Sequence, residues 1–202
     1  MIEVESPRGA TADGTVAETR AVILGAARAA LEEHGVRRTT VADIARRSGM
    51  SRQTIYRYWP DVTALYADVL TSEMRNAVSD ETTAGSLDGM VEALVATAAH
   101  VRDLPLLRRL RETDPELLAR YILERLGTSQ HDILARLELL VTAGQAAGVV
   151  RAGQPQRMAA MVLLIVQSAV QSAPLVADRL PVGVWEAELA AALRGYVGEP
   201  AR

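Results

Sequence analysis

The 202-residue chain carries 22 basic residues, all of them Arg, against 25 acids, and 49% of its residues are apolar. That length and apolar share can bury a sizeable core, in one compact unit or in a small domain joined to a larger one. The absence of Cys excludes disulfides, thiolate metal sites and a Cys nucleophile, and it fits a reducing cytoplasm.

Residues 1–14, MIEVESPRGATADG, are acidic and rich in small side chains, with no basic stretch leading into an apolar run. They read as a disordered tail and not as a signal peptide. Hydrophobic spacing is helical nearly throughout the rest of the chain. A first helix is expected from about 16 to 34, opened by a Thr15/Glu18 capping box and closed by Gly35. Its apolar face is Val16, Ile23, Leu24, Ala27 and Leu31. Thr40 with Asp43 opens a second helix over about 41–47, and Ser51 caps a third over about 52–58. Pro60-Asp61 breaks the chain before a connecting helix at about 62–79.

The TTAGS stretch at residues 82–86 marks a domain boundary. Further helices are expected at about 86–102, 105–112, 115–126, 129–147, 155–172 and 183–197, with Pro115 and Pro155 at first helical positions. No segment reads as a strand. The expected fold is all-α with about nine to ten helices: a helix-turn-helix domain over 15–66, a connector, and a second helical domain over 80–202. The longest strongly apolar run, Met158–Val166, is nine residues. A bilayer needs about 20, so a soluble cytoplasmic protein without a membrane partner is expected.

Charge is unevenly spread. Residues 15–66 hold eight Arg against five acids, a net +3, whereas residues 1–14 carry −2 and residues 67–202 carry −4. A basic module on an acidic body is the electrostatic footprint of a nucleic-acid reader. Within it, Thr40–Trp59 reads TVADIARRSGMSRQTIYRYW. Ala45 is small enough for two short helices to approach closely. Gly49, four residues on, can take the left-handed conformation of a tight turn. Ile44, Met50 and Ile55 can meet in one small core. The third helix then presents Arg52, Gln53, Thr54, Tyr56, Arg57 and Tyr58. Arg reads guanine and Gln reads adenine bidentately, and a Thr methyl packs on thymine. Tyr hydroxyls and helix-start amides hold phosphates, a role that also suits Thr39 and Thr40.

These residues resemble the tetracycline-repressor (TetR) family of bacterial regulators. The similar pieces are ILGAARAALEEHG, TTVADIARRSGMSRQTIYRYWPD and the Leu65 beyond them. The resemblance implies that Arg52, Gln53, Thr54, Tyr56, Arg57 and Tyr58 face a double-stranded DNA operator, with Thr39 and Thr40 on its backbone. Trp59 stands where Phe is usual, Leu31 where an aromatic is common, and Val62 where the family often has a Lys. The last departure implies one phosphate contact fewer.

The resemblance also implies a homodimer, paired through the helices at about 155–172 and 183–197, and an effector pocket in the second domain. MAAMVLLIVQSAVQSA is apolar almost all round and must be covered on more than one side. Candidate polar groups for the pocket are His100, Tyr121, Gln167 and Gln171, with Met90, Met158 and Met161 as deformable walls. Such a lining suits an apolar or amphipathic small molecule. The implied function is a repressor released from a palindromic operator by that effector. The alternative is a helical scaffold that keeps a helix-turn-helix without reading DNA. No enzyme is expected, and neither a metal nor a cofactor. None of His34, His100 and His131 follows a Glu by three positions, as di-iron bundles require, and there is no nucleophile elbow or phosphate loop.

Overall fold

A computed structural model of the chain describes residues 10–77, 85–123 and 128–199. Among the described residues are ten α-helices and no strand. They are α1 (Ala10–His34), α2 (Val41–Ser48), α3 (Arg52–Tyr58), α4 (Val62–Ala77), α5 (Leu87–Asp103), α6 (Pro105–Thr113), α7 (Pro115–Leu123), α8 (Thr128–Ala146), α9 (Pro155–Ser172) and α10 (Val182–Val197). Short 3-10 turns lie at Val36–Arg38 and Ala173–Val176.

The helix starts obey local chemistry. Thr40 accepts from the Asp43 amide and the Asp43 carboxylate accepts from the Thr40 amide, which completes a capping box. Ser51 and Ser86 cap α3 and α5 through their hydroxyls. The box expected at Thr15 does not form. α1 begins at Ala10, so the tail expected over 1–14 is helical from Ala10 onward, and residues 1–9 lie outside the described residues. Thr15 is therefore interior to the helix, where its carbonyl accepts the Thr19 hydroxyl at 2.7 Å. The segment from Ala10 to Gly14 holds no Pro and two Ala, so extending the helix through it costs little.

The chain forms two compact units. The first comprises the chain to Leu70 together with Arg109–Leu117, a segment that lies beyond the boundary expected from sequence. Its core is Ile23, Ala27, Ala30 and Leu31 of α1, Ile44 of α2, Ile55 of α3, Leu65, Tyr66, Val69 and Leu70 of α4, and Leu110. Arg109–Leu117 is held there by a close approach and an ion pair. A side chain at Gly35, whose φ is 73°, would place its Cβ 3.0 Å from Thr113 Oγ1, and Arg37 Nε lies 3.3 Å from Asp114 Oδ1.

The second unit holds Thr71–Arg108 and the chain from Leu118. α8 packs along α9, and α5 packs on α9 and α10. Its core includes Met90, Val91, Leu140, Val141, Val162, Leu189 and Leu193. Trp185 joins that core, donating from Nε1 to the Ala169 carbonyl at 3.2 Å while the buried Arg102 guanidinium stacks 4.6 Å from its ring. Pro155–Val176, counted with its Ala, Ser and Gln residues, is long and apolar enough to cross a membrane by length and composition alone, a test that core helices also pass. In the structure α9 packs against α5, α8 and α10.

Candidate nucleic-acid interface and an apolar cavity

Local geometry fixes how α3 is presented. Gly49 has φ 69° and ψ 12°, so the chain reverses through the left-handed region where Gly alone is unstrained. The Met50 amide donates to the Ala45 carbonyl at 3.1 Å across that turn. Ile44 and Ile55 are fully buried beneath it, which leaves the opposite side of α3 to solvent.

The C-terminal end of α3 is anchored by Trp59, which is 3% exposed. Its indole N–H donates to Asp68 Oδ2 of α4 at 2.9 Å. The same carboxylate oxygen accepts from Arg20 of α1, whose guanidinium lies 5.2 Å from the Trp59 ring. One Asp thus ties three helices at the end of α3. Beside it Tyr66 is buried and donates to the Thr39 carbonyl at 2.9 Å. Burial, with Asp43 and Asp114 nearby, pushes the Tyr66 hydroxyl up to about 12.

Arg52, Gln53, Tyr56 and Arg57 are exposed, and Thr54 and Tyr58 are half-buried. The Thr54 hydroxyl is occupied by Ser51 at 2.8 Å, which leaves its methyl as the free contact group. Arg57 donates to the Tyr58 hydroxyl at 3.1 Å and stacks on its ring. Thr40 is exposed, but its hydroxyl is held by Asp43 at 2.6 Å, and the Thr40 hydrogen bond keeps that carboxyl below its ordinary pKa.

Thr39 departs from its expected place on a DNA backbone. It is 6% exposed, and its hydroxyl faces the Gly35 carbonyl at 2.7 Å and the Ala30 carbonyl at 3.1 Å. Its amide and carbonyl are also taken, by Val36 and Tyr66. A β-branched hydroxyl residue just after α1 satisfies that helix's terminal carbonyls, and no polar atom remains for phosphate.

Ion pairing occupies most of the basic segment. Arg20, Arg28, Arg37, Arg46 and Arg47 each pair with a carboxylate. The Arg47 contact holds Glu33 below its ordinary pKa. Arg38, Arg52 and Arg57 have no carboxylate partner among the described residues. Two of these three uncompensated cations stand on the outward face of α3.

The second unit contains a cavity of about 150 Å3. It is lined by Met74 of α4, Thr97, Ala98 and Val101 of α5, Leu107 and Leu118 of α6 and α7, Gln130 and Ile133 of α8, and Leu163, Val166, Gln167, Val170 and Gln171 of α9. Of the residues singled out from sequence, Gln167 and Gln171 line it. His100 is exposed, turned round α5 away from Ala98 and Val101. Met158 is in the core, with its sulfur 3.6 Å from Gln145 Nε2, and Met90 is likewise in the core. Met161 is 43% exposed on the outer side of α9. These four do not line the cavity: helical periodicity turns His100, Met158 and Met161 to other faces, and Met90 shares the face of Thr97 and Val101 but lies about two to three turns before them in the core. The Tyr121 side chain lies outside the described residues. Met74, Thr97 and Gln130 carry no sequence signal: nothing in their local sequence sets them apart from other half-buried helix positions.

Residues 23–69 match the family model described as bacterial regulatory proteins, tetR family. A Mycobacterium tuberculosis protein named as an uncharacterized HTH-type transcriptional regulator is 40% identical over 182 residues, which is 90% of this chain and 95% of that protein. The structure is similar to that of a SmeT–triclosan complex, with a TM-score of 0.60, 20% identity, and 91% of this chain and 93% of that chain covered. It is also similar to a putative transcriptional regulator from Saccharomonospora viridis in complex with choline, with a TM-score of 0.61, 18% identity, and coverage of 91% and 99%.

Proposed function

This chain belongs to the TetR family of DNA-binding transcriptional regulators, and we propose that it works as a cytoplasmic homodimer that a small molecule releases from a palindromic operator. The observation that carries the reading is the outward face of α3, where Arg52, Gln53, Tyr56 and Arg57 stand exposed without a carboxylate partner among the described residues. In this reading Arg52 and Gln53, at the N-terminal end of α3, meet base edges, while Tyr56, Arg57 and Tyr58 hold phosphates; Thr40, whose hydroxyl and amide both go to Asp43, does not. Thr54 offers its methyl to a thymine.

One seven-residue helix reads too little DNA for specificity, so two copies are needed with their α3 helices about 34–36 Å apart. The second unit supports pairing. Ala160, Met161, Leu164 and Ser168 form an exposed stripe on α9, and Val184, Ala187, Ala191 and Gly195 form one on α10. Leu164 is 60% exposed and Val184 46%. Two such stripes, apolar and small, fit against their own copies across a two-fold axis.

The cavity supports an effector site, as do the small molecules named with the SmeT and Saccharomonospora structures. α4 lends Leu65, Tyr66 and Val69 to the core of the first unit and Met74 to the cavity wall. An effector that binds one setting of this helix better than another shifts the population of DNA-competent dimers by its differential affinity.

Fluorescence anisotropy with DNA from upstream of the protein's own gene tests the reading, across a salt series. Wild type should bind with log K falling steeply against log salt, by about 0.9 per phosphate neutralised, and an Arg52→Ala/Tyr56→Phe variant should lose the specific term. Sedimentation should give two chains per operator. Binding no tighter than to random DNA, both here and across a genomic library, would contradict it.

A further inference from the structure

We propose that the ligand of the second-unit cavity is an uncharged molecule with an apolar body about one ring in bulk and a single neutral hydrogen-bonding head, met by the carboxamides of Gln167 and Gln171. The proposal rests on the reading of that cavity as the effector site.

The volume limits the guest. A cavity of about 150 Å3 matches the volume known to admit a benzene-sized guest when its walls are apolar. Here Met74, Ala98, Val101, Leu107, Leu118 and Leu163 supply such walls. The walls also select against charge. Among the described residues no ionisable side chain lines the cavity. Of the charged residues next to lining positions, Arg75 pairs with Asp132 at 2.8 Å and Arg102 with Asp103 at 3.0 Å. An ion entering this space would give up its hydration with no counter-charge among the described lining residues, which is costly. Nor does any aromatic ring stand among the described lining residues to receive a cation by its face.

The two glutamines define the head group. They are four residues apart, so they share one face of α9, and both line the cavity. Both are half-buried, and neither has a hydrogen-bond partner among the described residues. A carboxamide offers both donors and an acceptor, so the pair can bind a hydroxyl, a carbonyl or an amide, and it favours neither ionic sign. The lining residues of α4, α6 and α7 are Met74, Leu107 and Leu118, so the α9 amides offer the ligand a polar partner that those helices do not.

The test uses four probes of one shape: toluene, benzyl alcohol, benzylammonium and benzoate. Each is titrated at neutral pH into the full-length protein with methyl NMR on Met, Leu and Val. Toluene and benzyl alcohol should shift the Met74, Leu163 and Val166 methyls saturably, and the two ions should not. A Gln167→Leu/Gln171→Leu variant should weaken benzyl alcohol by about 2- to 10-fold, the worth of a net hydrogen bond, and leave toluene as tight or tighter. Binding of either ion as tightly as benzyl alcohol would overturn the charge assignment while the site itself stands. An equal response of toluene and benzyl alcohol to the variant would overturn the role of the glutamines. Absence of any saturable shift at the lining methyls with all four probes would instead overturn the underlying reading of the cavity as a binding site.

Discussion

Replacing Asp68 separates two things that one carboxylate does. Its Oδ2 accepts from the Trp59 indole and from Arg20. Asp68→Ala leaves the indole N–H, on a residue 3% exposed, without an acceptor. An orphaned buried donor costs about 1–3 kcal/mol. The lost ion pair adds little, because the Arg20 and Asp68 side chains are 44% and 27% exposed; screening holds such a pair to about 1 kcal/mol or less. Asp68→Asn removes the charge but keeps an acceptor, so it should cost about 1 kcal/mol or less. The assay is urea unfolding followed by circular dichroism. With a slope of about 1–3 kcal/mol per molar urea, the Ala variant should lose on the order of 1 M in midpoint and the Asn variant a small fraction of that. Equal losses for the two variants would show that the charge matters and the indole hydrogen bond does not, and would refute the reasoning.

Two of the positive-φ glycines, Gly35 and Gly49, should differ under the same substitution. Gly49→Ala meets no atom within 4 Å and should cost about 1–2 kcal/mol from backbone strain alone, whereas Gly35→Ala adds the contact with Thr113 at 3.0 Å and should melt at a lower temperature. Raising the pH should destabilise the fold through Tyr66. Its folded pKa, about 12, lies above the unfolded value of 10.0, so its contribution is full below pH 10 and declines as pH rises towards 12. Urea midpoints between about pH 9 and 11.5 should fall in wild type and fall less in Tyr66→Phe. On DNA, Arg52→Ala should cost about 1–3 kcal/mol on the preferred sequence and relax preference at one base pair, while Arg57→Ala should weaken all sequences alike and reduce the salt slope by about one. Competition binding with single-base operator variants distinguishes the two.

The helix-turn-helix is legible in the sequence because its constraints are local. Ser51 and Thr40 cap helices within their own first turns, and Gly49 is required by a backbone angle, so α3 spans Arg52–Tyr58 as the residues predict. Local rules mislead where a longer-range partner decides. Thr39 has the chemistry of a phosphate contact, but Tyr66, 27 positions away, and the end of α1 draw its polar groups inward. Thr15 has the chemistry of a cap, but the helix begins five residues before it. The cavity is legible only in part. Gln167 and Gln171 stand out as amides in an apolar helix, but which faces of α4, α5 and α8 surround them depends on packing between helices far apart in sequence. His100, Met158 and Met161 fall on other faces for that reason, and Met74 sits on a helix that reads only as a connector. The departure of Arg109–Leu117 from the expected domain boundary likewise rests on distant contacts, with Gly35 and Arg37.

The central claim is that α3 reads a palindrome twice. Selection of bound duplexes from a random DNA pool, run in parallel with wild type and Arg52→Ala/Gln53→Ala, tests it most directly. The account predicts that wild type enriches one inverted repeat, with half-sites about one helical turn or a multiple of it apart, and that the variant keeps a salt-dependent affinity but enriches nothing. Enrichment of the same repeat by the variant, or of no sequence by wild type, would contradict it.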